Sequence, residues 1–202
     1  MAVGEANHLK GADGARRAKK WLDATTRVKA SWTNEDEVNI NKLSFAWPYG
    51  GQTFSFDLGG ILSGDEFENQ TFVSEVKNYS GVGDQPEHYD DWLAKSYIAR
   101  QLNPALTDNF MWITWHPFAQ TNWKKLCTEE WVEKGILLPK NIERIFGTKD
   151  RDDAKAAIDS KIVTDVASRL WVIVLSERQE KLVITGKHRS WLVKKQTKKD
   201  SE

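Results

Sequence analysis

Thr71-Phe72-Val73-Ser74-Glu75-Val76-Lys77 alternates in polarity and reads as a β-strand. Side chains two apart on a strand project from one face. Val73, Glu75 and Lys77 therefore share a face, and Phe72, Ser74 and Val76 take the other. A carboxylate and an ammonium are thereby set side by side. Upstream, Thr53-Phe54-Ser55-Phe56-Asp57-Leu58 alternates in the same way and then meets Gly59-Gly60. Gly64-Asp65-Glu66 is turn-like, so the two strands form an antiparallel hairpin with a longish connection. Pairing of these strands could bring Asp57 to Glu75.

Working outward, residues 12–24 predict a helix, with Ala15, Ala18 and Leu22 at three- and four-residue spacing and Arg16, Arg17, Lys19 and Lys20 over much of the remaining surface. Residues 1–10 read as loose. Residues 26–32 alternate weakly and suggest a first strand; 34–41 suit a loop or short helical turn. After Gly81 and Gly83, residues 85–102 predict a helix, ended by Pro104. The apolar run Phe110 to Trp115 before Pro117 predicts a buried strand. Further helices are expected over 122–133 and 152–167. Residues 170–175 either extend the latter helix or form a strand paired with 181–185. A mixed sheet flanked by helices is the natural packing for this order, in an α/β fold.

The 202 residues suit one domain, 40% hydrophobic and 29% charged. Cys127 is the only cysteine, which excludes an intramolecular disulfide, and the four scattered histidines do not suggest zinc. No apolar run is long enough to span a bilayer, and residues 1–20 lack the apolar segment of a secretory signal. A cytoplasmic protein with no membrane partner is expected. Formal net charge is zero, but residues 1–30 carry seven Lys/Arg against three Asp/Glu and residues 187–202 carry six against two. Basic ends around an acidic middle suit a protein whose ends touch phosphate while its centre holds a cation; a solvated C-terminal tail is the plainer reading.

Two clustered carboxylates repel each other, and a divalent cation relieves that repulsion. Mg²⁺ takes one or two protein carboxylates plus phosphate oxygens and water. It acidifies water and neutralises charge developing on a phosphate. A neighbouring lysine orients or deprotonates the attacking water, or stabilises the pentacoordinate phosphate. Asp57 followed by Glu75-Val76-Lys77 is therefore a minimal kit for phosphodiester hydrolysis.

Phe56-Asp57 and Ser74-Glu75-Val76-Lys77 together resemble the PD-(D/E)xK signature of restriction-endonuclease-like nucleases. The resemblance covers about residues 10–118 and implies an α-β-β-β-α-β core, with 119–202 as a mainly helical extension of a single nuclease domain. It implies Asp57, Glu75 and Lys77 as the catalytic residues. Mg²⁺ or Mn²⁺ would be held by Asp57, Glu75 and the carbonyl of Val76, and Lys77 would activate water. Phe56 replaces the usual proline. The acidic residue that members often carry on the first helix falls near Ala15, and Asp13 is the nearest acid. Expected substrate contacts are Arg16, Arg17 and Lys20 on the first helix, Tyr79 in the loop after Lys77, and Gln85 at the start of the next helix. His116 is expected to be a loop histidine.

These expectations favour a DNA endonuclease of a prokaryotic restriction, defence or transposition system, acting as a homodimer or with a specificity partner. RNA remains open as a substrate, because the triad reads phosphate and not sugar. The competing expectation is a nucleic-acid-binding or assembly module on the same fold with weak or lost catalysis.

Overall fold

The computed structural model describes residues 3–25 and 27–199, with the backbone alone at 3–10, 196 and 199. Five strands form one mixed sheet: β1 (Val28–Thr33), β4 (Leu58–Leu62), β5 (Thr71–Lys77), β6 (Asn109–Thr114) and β7 (Leu170–Val174), neighbours in that order. β4 runs antiparallel to both β1 and β5, and β6 and β7 continue parallel to β5. A small two-stranded sheet of β2 (Ser44–Ala46) and β3 (Thr53–Ser55) is inserted between β1 and β4.

Helices cover both faces. The first, α1 (Val3–Ala24), packs its Ala18 and Leu22 onto the face lined by Leu58, Phe72, Val76, Met111 and Ile113. The other face, with Val73, Phe110 and Trp112, is covered by α2 (Gln85–Leu102). Two more helices, α3 (Glu129–Ile136) and α6 (Ser160–Ser168), bury the outer side of α2. This is why the middle turns of α2 are buried on most sides: Tyr89, Trp92, Leu93, Tyr97 and Ile98 are all buried. β6 is buried at every position because helices lie on both sides of it, which gives a continuous apolar run in place of alternation.

The expected hairpin is present, with one change that matters. Residues 53–58 are not a single strand running up to Gly59-Gly60. The strand signal is split: 53–55 pair with β2, the chain turns at Phe56 and Asp57, and β4 runs through the glycine pair to Leu62. Gly60 lies opposite Phe72, and a Cβ there would stand 2.5 Å from the Phe72 ring and 2.4 Å from the Ala30 carbonyl oxygen. The glycine is a strand-interior residue that lets an aromatic ring lie across it.

Other expectations are corrected. Helix α1 starts at Val3, so 3–10 are helical and not loose; Met1 and Ala2 lie outside the described residues, as does Thr26 at the expected start of β1. Over 122–133 the chain forms a 3-10 turn (Gln120–Lys125) and then α3. A further helix, α4 (Pro139–Phe146), follows. Residues 152–167 divide into α5 (Arg151–Ala156) and α6, because Asp150 and Asp159 each accept backbone N–H groups as N-caps. Residues 170–175 are strand, but they pair with β6 and not with 181–185, which lie between α7 (Glu177–Glu180) and α8 (Gly186–Lys199). The C-terminal part is mainly helical, as expected, yet it also supplies the fifth strand of the main sheet.

Candidate active site

The start of β4 and the end of β5 meet because the two strands are antiparallel. Leu58 pairs with Ser74, and one step further the Asp57 N–H donates to the Ser74 carbonyl at 2.9 Å. Asp57 therefore stands opposite Glu75. Its Oδ2 accepts the Val76 N–H at 2.8 Å, while Oδ1 takes no hydrogen bond among the described residues. Glu75 is buried and shares its face with Val73, as the alternation predicted, while Phe72 and Val76 point to the α1 side. Lys77 Nζ donates to Glu75 Oε1 at 2.8 Å and lies 5.9 Å from the centre of the Trp112 ring. Trp112 is the residue of β6 in register with Glu75.

A fourth charged group completes the cluster. Lys95, in the middle of α2, reaches Glu75 Oε2 at 3.4 Å. Sequence reading missed it, because a lysine in a helix is ordinarily solvated and has Asp91 one turn before it as an obvious partner. Asp91 is instead taken by Arg144 and Lys140. The available signal was position: Lys95 follows Trp92 by three residues in a helix whose other faces are covered, so its ammonium must find a buried carboxylate.

The charges act on one another. Burial, and then the charge of Glu75, push the Asp57 carboxyl up to about 7, against the pull of Lys77, the Val76 N–H and Lys95. Burial also disfavours the Glu75 carboxylate, but Lys95 and Lys77 outweigh it and hold Glu75 below the ordinary carboxylate range. For Lys77, burial opposes the charge, and Glu75 and Asp57 more than restore it, raising its pKa. Lys77 is thus a firmly held ammonium.

The donor set fits a hard cation of modest appetite. Two carboxylates and a backbone carbonyl suit Mg²⁺ or Mn²⁺, which complete their shell with water and phosphate. Among the described residues there is no group of three or more His, Cys, Asp or Glu that could hold a metal ion. Asp13 does not enlarge the set: its carboxylate meets Asn78 Nδ2 at 3.5 Å, on the α1 side of the sheet.

No protein-family model, curated protein or solved structure matches this chain. Among the described residues no helix is long and apolar enough to cross a membrane.

The expected substrate contacts divide. Arg16 and Lys20 are exposed on α1, with Arg16 3.1 Å from Glu35. Arg17 is committed to the fold: its guanidinium grips both Glu180 oxygens at 2.9 and 2.6 Å, donates to Asn78 Oδ1 at 2.9 Å and stacks 4.4 Å over Trp115. Gln85 is fully buried, accepts from Thr114 Oγ1 at 2.6 Å and donates to the Gly81 and His116 carbonyls, closing the end of β6 onto α2. Tyr79 is half-buried and bonded to Asp84 in the β5–α2 loop. His116 Nδ1 meets the Pro117 carbonyl at 2.8 Å, as befits a loop histidine.

Proposed function

We propose that this chain is a divalent-metal-dependent nuclease of the restriction-endonuclease-like class that hydrolyses phosphodiester bonds, with DNA as the substrate. The observation that carries the reading is the pairing of Asp57 with Glu75 across β4 and β5, with Lys77 bonded to Glu75 at 2.8 Å. The order α1, β1, β4, β5, α2, β6 supports it, since with the β2–β3 hairpin set aside this is the α-β-β-β-α-β succession of that class. So does the position, at the carboxyl edge of the parallel strands β5 and β6, where α/β sheets commonly bind ligands.

In this reading Asp57, Glu75 and the Val76 carbonyl hold Mg²⁺ or Mn²⁺. When bound, the ion offsets the carboxylate repulsion and the charge that develops on the phosphate. Lys77, held protonated by its two carboxylate neighbours, acts as a charge on the phosphate and orients the attacking water; it is poorly suited to accept a proton. The exposed Arg16 and Lys20 and the basic α8 supply phosphate contacts away from the reaction centre.

One observation favours a second reading, a binding or assembly module on the same fold. Both oxygens of Glu75 are engaged by lysines, as in a purely structural ion-pair network. The two readings separate in one set of assays. Supercoiled plasmid, linear duplex, single strands and RNA are incubated with Mg²⁺ or Mn²⁺, with Lys77→Ala as control and melting curves with and without metal. A nuclease cuts in the wild type only and is stabilised by metal. A protein that neither cuts nor gains stability from metal belongs to the second reading.

A further inference from the structure

Glu75 has two oxygens and two cationic partners from different elements. Lys77 comes from the same strand and bonds Oε1 at 2.8 Å; Lys95 comes from α2, across the site, and meets Oε2 at the longer distance of 3.4 Å. Each lysine side chain is only 18% exposed, so neither ammonium is solvated in the ordinary way. The acid one turn before Lys95 on its own helix, Asp91, is held by Arg144 and Lys140. A cation entering between Asp57 and Glu75 has to displace one of these ammoniums from the Glu75 carboxylate. The looser contact is that of Lys95, while Lys77, two residues along the strand, stays beside Glu75 wherever its tip turns.

Charge accounting points the same way. With Asp57 and Glu75 both ionised, as metal ligation requires, they balance Lys77 and Lys95, and the four side chains are neutral together. A divalent cation leaves a surplus of two positive charges. A phosphodiester and an attacking hydroxide bring two negative charges, which combine in the pentacoordinate phosphate. Without Lys95 the surplus would be only one.

Resting on the nuclease reading above, we infer that Lys95 is a second phosphate-directed lysine of the site, which occupies the cation position on Glu75 in the metal-free protein and turns to the substrate phosphate when a divalent cation replaces it. The chemistry remains hydrolysis: the attacking water loses one proton to solvent and its oxygen forms the new P–O bond, while the P–O bond to the leaving oxygen breaks and that oxygen departs with its electron pair and takes a proton from solvent. Lys95 contributes charge and no proton.

The test pairs metal binding with cleavage in Lys95→Met, which keeps the stem's packing and removes the charge. Mn²⁺ titrated calorimetrically into the protein without nucleic acid should bind about three- to tenfold more tightly than to the wild type, because a competing cation is gone. Single-turnover plasmid cleavage at saturating Mn²⁺ should fall about tenfold or more. Lys95→Arg should recover part of the cleavage, and Lys95→Gln serves if the methionine variant does not fold. Weaker Mn²⁺ binding in Lys95→Met would show a residue that merely arranges Glu75 and would overturn the inference. If the wild type binds Mn²⁺ and cuts, and Lys95→Met matches it in both, the Lys95 role fails alone. If the wild type neither binds Mn²⁺ nor cuts, the nuclease reading fails with it.

Discussion

The Asp57 carboxylate accepts the Val76 N–H at 2.8 Å, so the acid that precedes β4 is bonded to the backbone between Glu75 and Lys77. The geometry of the carboxylate pair is thus held by the protein and does not wait for a metal. Asp57→Asn keeps an acceptor for this N–H and removes the charge that burial and Glu75 oppose. We expect it to lose Mn²⁺ binding and cleavage together while raising metal-free stability at pH 8 by on the order of 2 kcal/mol. Denaturant melts at pH 8 with and without Mn²⁺ check this, and a lower stability than wild type would count against the site.

The pH dependence follows from the same group. Asp57 binds its proton more tightly in the folded protein, at about 7 against 3.8. Between those values the native state holds more protons than the unfolded chain, so this group's contribution to stability falls as pH rises through the window. Glu75 runs the other way: its contribution is present above 4.5 and is lost as pH falls toward 2. Metal-free wild type should therefore lose stability between pH 5 and 7.5 more steeply than Asp57→Asn. Mn²⁺ competes with the Asp57 proton, so its affinity should rise up to about tenfold per pH unit and level off above pH 7. Calorimetry at pH 5.5, 6.5 and 8 measures that curve; a flat response would remove Asp57 from the ligand set.

Lys77→Ala separates catalysis from binding. Both carboxylates remain, and Lys95 still partners Glu75. Mn²⁺ affinity should survive or increase, while cleavage drops by about two orders of magnitude or more. Nicking of plasmid and Mn²⁺ titration on the same preparation decide the point. Equal cutting by wild type and variant would place the reaction elsewhere.

Nucleic-acid affinity should depend on the basic surface and fall steeply with salt. A recess lined by Arg16, Lys19, Lys20 and Arg189 joins α1 to the start of α8, and Lys194, Lys195 and Lys198 are exposed further along α8. Deleting residues 194–202 should weaken duplex binding about tenfold near 100 mM salt and flatten its salt dependence, without changing Mn²⁺ affinity. Fluorescence anisotropy across a salt series reads both quantities; an unchanged affinity would mean the tail is only solvated.

Arg17 behaves differently from its neighbours. Its fork on Glu180 ties α1 to α7, so Arg17→Ala should destabilise the protein by about 1–2 kcal/mol, and a double-mutant cycle with Glu180→Gln should show most of that as coupling. Arg16→Ala and Lys20→Ala should lower duplex affinity with little change in stability. A stability-neutral Arg17→Ala that lost duplex affinity would instead return Arg17 to the phosphate contacts.

The sequence determined β5 outright. Its alternation put Glu75 and Lys77 on one face with Val73, and the helix–strand order around it specified a mixed sheet under helices. Those features are local: a strand's period of two and a helix's apolar stripe are written in neighbouring residues. Tertiary structure alone decided the register that makes a site of them. A hairpin that ended with Gly59 opposite Thr71 would set Asp57 opposite Val73, two residues short of Glu75. The strand continues to Leu62 because the Phe72 ring and the Ala30 carbonyl fill the space a side chain at Gly60 would need, and that contact joins three strands. β7 was equally illegible, since an apolar run of six has no period to distinguish helix from strand until β6 offers it an edge. Lys95 lay furthest out of reach. Twenty residues separate it from Glu75, and only the packing of α2 on the sheet forces that ammonium onto a buried carboxylate.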